Sequence, residues 1–143
     1  MHSLAALGLR RLGLGLLSCL VLLASAQPGH ATDLSGTWQG HWEDCDRGHT
    51  GPLRATFCKC DDQHYRVVFS GRFWKVVPFR YAVTLNVVGK HGNKVLLAGE
   101  SNVPFFGTFS YSAEASGCEF VANFTSCHYQ GRFVLERCCR CPE

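Results

Sequence analysis

Nine cysteines and seven histidines in 143 residues are the side chains with the widest chemical scope. Eight of the cysteines, Cys45, Cys58, Cys60, Cys118, Cys127, Cys138, Cys139 and Cys141, lie beyond residue 44. Thiols in such numbers can bridge, hold a metal or act as nucleophiles. Cys58-Lys59-Cys60 with Cys139 and Cys141 could offer zinc four thiolates, yet Cys-x-Cys with Cys-Cys-x-Cys is an uncommon structural-zinc arrangement, and an even count in an exported chain reads first as disulfides. His41, His49 and His128 with a cysteine form a second metal candidate, and His49 could activate a Cys45 thiolate. Nothing near them supplies an oxyanion site, so the segment from His41 to His49 reads as a solvated loop. There is no Gly-rich phosphate loop, Gly-x-Ser-x-Gly turn or His-Glu-x-x-His pair. The expectation is a protein that is not an enzyme and takes no cofactor, with zinc as the alternative.

The disulfide reading depends on the compartment. Arg10 and Arg11 precede an apolar run from Leu12 to Leu23 that gives way to small residues. That order marks residues 1–26 as a secretory signal peptide, with cleavage as late as Ala31 the alternative. The run of about twelve residues is short of the roughly 20 that a spanning helix needs, so no transmembrane anchor is expected. The destination is secreted, periplasmic or the cell envelope. Beyond the signal stand 12 Lys and Arg against 11 Asp and Glu, without a basic cluster, which argues against a nucleic-acid partner.

About 115 residues then remain, enough for one domain, read here as residues 33–137 with a Cys-rich tail at 138–143. No stretch keeps a helical apolar period, whereas alternation with period two recurs throughout. Eight strands are predicted, at 34–42, 51–60, 64–73, 79–88, 94–100, 104–112, 118–125 and 128–137. The short separators, Asp61-Asp62-Gln63, Gly89 to Asn93 and Ala115-Ser116-Gly117, suit an antiparallel meander.

Four segments repeat aromatic-x-Gly-x-aromatic: Trp38 to Trp42, Phe69 to Phe73, Phe105 to Phe109 and Tyr129 to Phe133. In a strand the three positions share a face, and a glycine between rings makes sense where strands bend around a narrow interior. The all-β fold expected is therefore an antiparallel eight-stranded up-and-down meander closed as a small barrel, with a β-sandwich as the alternative. Leu53, Ala55, Phe57, Tyr65, Val67, Val83 and Leu85 continue the inner face. Arg54, Arg66, Arg80, Asn123 and Arg132 fall on the outer one.

Gly36-Thr37-Trp38 resembles the Gly-x-Trp opening of the calycin barrels, the group of lipocalins and avidins, and Arg137 stands at the end of the last strand. The resemblance implies that Arg137 packs over Trp38 and closes one end. The Thr-Asp-Tyr element of lipocalins and their C-terminal helix have no counterpart here, and no biotin-contact set can be carried across.

In a closed meander Cys45 and Cys127 fall at one end, where a disulfide is expected. Cys118 faces the last strand's end and is expected to pair with Cys138 or Cys139, leaving Cys58 and Cys60 to the remaining two. Trp38, Trp42, Phe69, Phe73, Tyr81, Phe109, Tyr111, Phe124 and Phe133 are the candidate lumen residues. They either fill the interior of a structural or interaction module of the envelope, with an envelope protein as its partner, or line a pocket for a small apolar ligand. So many rings in so short a chain favour the filled interior.

Overall fold

The computed structural model describes residues 32–138. Within them run β1 (Gly36–Asp44), β2 (Thr50–Lys59), β3 (His64–Phe73), β4 (Val77–His91), β5 (Lys94–Val103), β6 (Gly107–Ala115), β7 (Glu119–Thr125) and β8 (Gln130–Arg137). Each strand pairs antiparallel with the next, and β8 returns to β1 with Trp38 opposite Arg137 and Asp44 opposite Gly131. The sheet is a closed eight-stranded up-and-down barrel, not a sandwich. Closure leaves no strand edge to attract another chain.

Alternation explains which side turns inward. Leu53, Ala55 and Phe57 on β2 are buried while Arg54 and Thr56 between them are exposed. Phe109, Tyr111, Ala113 and Ala115 repeat the pattern on β6. Glycines then let the ribbon coil tightly. A Cβ on Gly40 would run into the Val134 carbonyl, and one on Gly131 into the Glu43 carbonyl, so β1 and β8 approach closely because neither carries a side chain there. Gly71 makes room in the same way for the Phe79 ring.

The third aromatic-Gly-aromatic segment, Phe105 to Phe109, behaves differently. Phe105 is fully exposed with φ 70°, and Gly107 has φ 85° with open space on its Cβ side. Residues 104–106 form the β5–β6 turn, closed by the Phe106 N–H donating to the Val103 carbonyl at 3.0 Å, so β6 begins at Gly107 instead of residue 104. The predicted separator from Gly89 to Asn93 also shrinks. A bulge between Val87 and Gly89 lets β4 continue to His91, leaving Gly92-Asn93 as the turn.

One end of the barrel is plugged. Trp38 is fully buried, and its indole N–H donates to the Leu34 carbonyl at 3.0 Å. The Arg137 guanidinium lies 4.7 Å from the Trp38 ring centroid. It donates to the carbonyls of Gly117, Ser35 and Asp33 at 2.6, 2.8 and 2.6 Å. Below the plug Trp38, Phe57 and Phe120 interlock, with Phe57 and Phe120 centroids 5.1 Å apart. This half of the lumen is solid.

Five of the described cysteines depart from expectation. Cys45, Cys58, Cys60, Cys127 and Cys138 are exposed thiols, so the predicted Cys45–Cys127 bridge is not made. The two do share one end, since the Cys45 N–H donates to the Gln130 carbonyl. Both sit in turns beyond the last paired residues, where the ladder no longer sets the separation of side chains. Cys58 faces outward on β2 opposite Arg66, Cys60 turns into the β2–β3 loop, and the Cys138 N–H is spent on the Thr37 carbonyl. Cys118 is disulfide-bonded, but not to Cys138. Cys139 and Cys141, with the signal segment and the tail, lie outside the described residues.

Candidate functional site

The turns that alternate with the plugged end gather at the other one: 45–49 between β1 and β2, 74–76 between β3 and β4, 104–106 between β5 and β6, and 126–129 between β7 and β8. They surround a mouth that opens into a cavity of about 230 Å³. Phe69 is its floor, fully buried, with the Tyr81, Tyr111 and Phe133 centroids 5.6, 6.3 and 5.1 Å away. Above the floor the rings stand as walls. Phe109 lies nearly parallel to Tyr129, at 18° and 6.3 Å, and Tyr81 to Tyr111, at 24° and 6.4 Å. On the facing side Trp42 meets Phe73 edge-on at 5.3 Å, its orientation fixed by an indole N–H bond to the Arg72 carbonyl at 3.2 Å.

One polar feature enters this apolar cup. The Ser101 hydroxyl donates to the Tyr111 hydroxyl at 3.4 Å, and that to the Tyr81 hydroxyl at 3.1 Å. Three hydroxyls share two hydrogen bonds, so one proton of the Tyr81–Tyr111 pair is left without an acceptor among the described residues. Burial pushes the Tyr81 phenol far above its ordinary range, helped by the neighbouring Tyr111, and burial raises Tyr111 as well. Both therefore remain neutral hydrogen-bond partners at physiological pH.

The rim carries the charge. Asp44 accepts from the backbone N–H groups of Asp46 and Arg47 at 2.9 and 3.1 Å, which folds the β1–β2 turn over the mouth. Arg47 pairs with Asp44 at 3.7 Å and rests 5.1 Å from the Tyr129 ring centroid. Outside the barrel, hydrogen bonds from His41 and Arg132 hold the Glu43 carboxyl below its ordinary range.

Of the predicted lumen residues, Trp42, Phe73, Tyr81, Phe109, Tyr111, Phe124 and Phe133 line the cavity, whereas Trp38 belongs to the plug and Phe69 to the packed floor. The expectation of a filled interior holds for the plugged half and fails at the mouth. Sequence reasoning missed Phe79, which shares the inward parity of Tyr81, and Tyr129, which ends one of the ring-glycine segments. It also missed Trp74, Val103, Phe106, Asp44, Arg47 and His49, because alternation says nothing about side chains in or beside turns. His41, His49 and His128 are not brought together. His41 binds Glu43 on the outer face, and no group of three His, Cys, Asp or Glu suited to a metal occurs among the described residues.

No protein-family model matches the sequence, and no curated protein matches it. Among solved structures the chain is similar to a designed protein described as a fluorescence-activating β-barrel. The TM-score is 0.52 at 14% identity, over 75% of this chain and 94% of the designed one. At that identity the likeness concerns the fold: this chain is a small closed antiparallel β-barrel.

Proposed function

We propose that the protein is an exported barrel that binds a small, flat, largely apolar ligand at its open end. The observation that carries this reading is the cup of near-parallel rings over Phe69, sealed below and entered from one side, with one unspent hydroxyl proton of the Tyr81–Tyr111 pair inside. Stacking between the walls would hold a ring system of one or two fused rings, and the Tyr81–Tyr111 pair would donate one hydroxyl to an acceptor on it. A volume of about 230 Å³ suits a ligand of that size. A barrel serving only as a structural module would gain more stability from filling this space, as the plugged half does. The arginine-capped tryptophan supports a lipocalin-like or avidin-like use of the lumen, and Arg10, Arg11 and the apolar run that follows support export. The reaction-bearing alternatives, a zinc site or a thiol redox centre, draw no support from the exposed and separated Cys45, Cys58, Cys60, Cys127 and Cys138.

Titration with anilinonaphthalene sulfonate, a flat probe that brightens in apolar surroundings, tests the reading. Saturation at one probe per chain is expected. Val103→Trp, which puts an indole into the cavity, should weaken binding at least about tenfold while thermal unfolding stays cooperative. Binding that Val103→Trp leaves unchanged would place the probe elsewhere and remove the cavity reading.

A further inference from the structure

The same end of the barrel carries a feature that ligand binding alone does not explain. Its two turns 74–76 and 104–106 expose large apolar side chains at their tips: Trp74 is 69% exposed, Val76 74%, and Phe105 fully. These are not loosely placed residues. Each turn is closed by its own backbone bond, from the Val76 N–H to the Phe73 carbonyl at 3.1 Å and from the Phe106 N–H to the Val103 carbonyl at 3.0 Å. Trp74, Lys75 and Phe105 hold φ of 48°, 65° and 70°, a region that bulky residues rarely adopt. The two turns are neighbours, because the Phe73 ring meets Trp74 at 6.4 Å and Phe106 at 5.3 Å. Strained backbone is thus used to present adjacent apolar tips to solvent.

We infer that these tips dock the open end of the barrel onto an anionic lipid surface. Two narrow hairpin ends form a convex knob, which a deformable bilayer interface accepts. Tryptophan and phenylalanine beside a lysine are the side chains that favour the boundary between headgroups and acyl chains. Charge points the same way. Residues 72–78 and 103–108 contain Arg72 and Lys75 and no acid. The carboxylates at this end belong to the β1–β2 hairpin, where Glu43 pairs with Arg132 and Asp44 with Arg47, while Asp46 accepts from the neutral Gln130 amide and keeps its charge. Docked in this way, the mouth faces the membrane, from which an apolar ligand could enter without crossing water. The docking stands on the two turns alone and is tested without any ligand.

The experiment is co-sedimentation of residues 32–143, which contain all eight strands and the plug, with vesicles of phosphatidylcholine alone or mixed equally with phosphatidylglycerol. Binding to the mixed vesicles and little to the neutral ones is expected. Val76→Ser with Phe105→Ser, neither of which lines the cavity, should weaken it at least about tenfold. Lys75→Glu should weaken it by about tenfold on the anionic vesicles only. Brominated acyl chains should quench Trp74, since Trp38 and Trp42 are buried in the lumen, and Trp74→Phe should abolish the quenching. Three results would overturn the inference: no sedimentation with anionic vesicles, equal affinity for neutral ones, or binding that the Val76 and Phe105 substitutions leave intact. A dimer that these substitutions dissociate, without vesicle binding, would assign the patch to a second copy of the chain instead.

Discussion

Tyr81 concentrates the polar chemistry of the lumen in one hydroxyl. Its burial, and next its contact with Tyr111, raise its pKa above the ordinary 10.0 in the folded chain. Below about pH 10 the phenol is neutral in both folded and unfolded chains, and its contribution to stability is fully present. Above that pH the unfolded chain ionises first, so stability falls as pH rises towards the folded value. Urea midpoints measured between about pH 10 and 11.5 should therefore decline less steeply in Tyr81→Phe than in the parent. Equal slopes would mean that Tyr81 is not buried as described. Arg137 sets the second residue-scale expectation. Its fork reaches three carbonyls while its plane covers Trp38, and a lysine can reproduce neither arrangement. Arg137→Lys should cost about 1–3 kcal/mol in urea unfolding. A cost near zero would show that the plug is held by Trp38 and its ring neighbours alone.

At the scale of elements, strand and glycine positions divide into those that sequence pattern determines and those that closure determines. Alternation made the inward sets on β2, β3 and β6 legible, because a shift of one residue would expose every ring of the set. The glycines of β1, β3 and β8 were legible through their flanking aromatics. Gly51 and Gly99 do the same work, against the carbonyls of Arg72 and Thr84, yet no ring pattern marks Gly99. Turns were the least legible: Phe105 carries the same ring-glycine signature as Phe69 but lies in a hairpin tip. The distinction can be measured. Gly40→Val meets backbone on β8 and should destabilise the barrel by more than about 3 kcal/mol. Gly48→Ala, in a turn with φ 67° and open space around it, should cost only about 1 kcal/mol. Similar losses in chemical unfolding would contradict the assignment of Gly40 to strand closure.

The whole molecule is asymmetric along its axis: a capped, solid half below Phe69 and an aromatic cup above it. Composition showed how many rings the barrel must house. It could not show that they are distributed unevenly, because that depends on how far each ring stands from the plug. Nor could the count of cysteines show where thiols meet, since Cys45 and Cys127 share an end without pairing. The asymmetry is the claim on which binding and membrane docking are both arranged, and side-chain NMR during titration with the naphthalene probe tests it most directly. Shifts are expected at the rings of Phe109, Tyr111, Phe124 and Phe133, with Trp38, Phe57 and Phe120 unmoved. Shifts that spread to Trp38 and Phe57, or an absence of shifts at all seven rings under saturating probe, would contradict it.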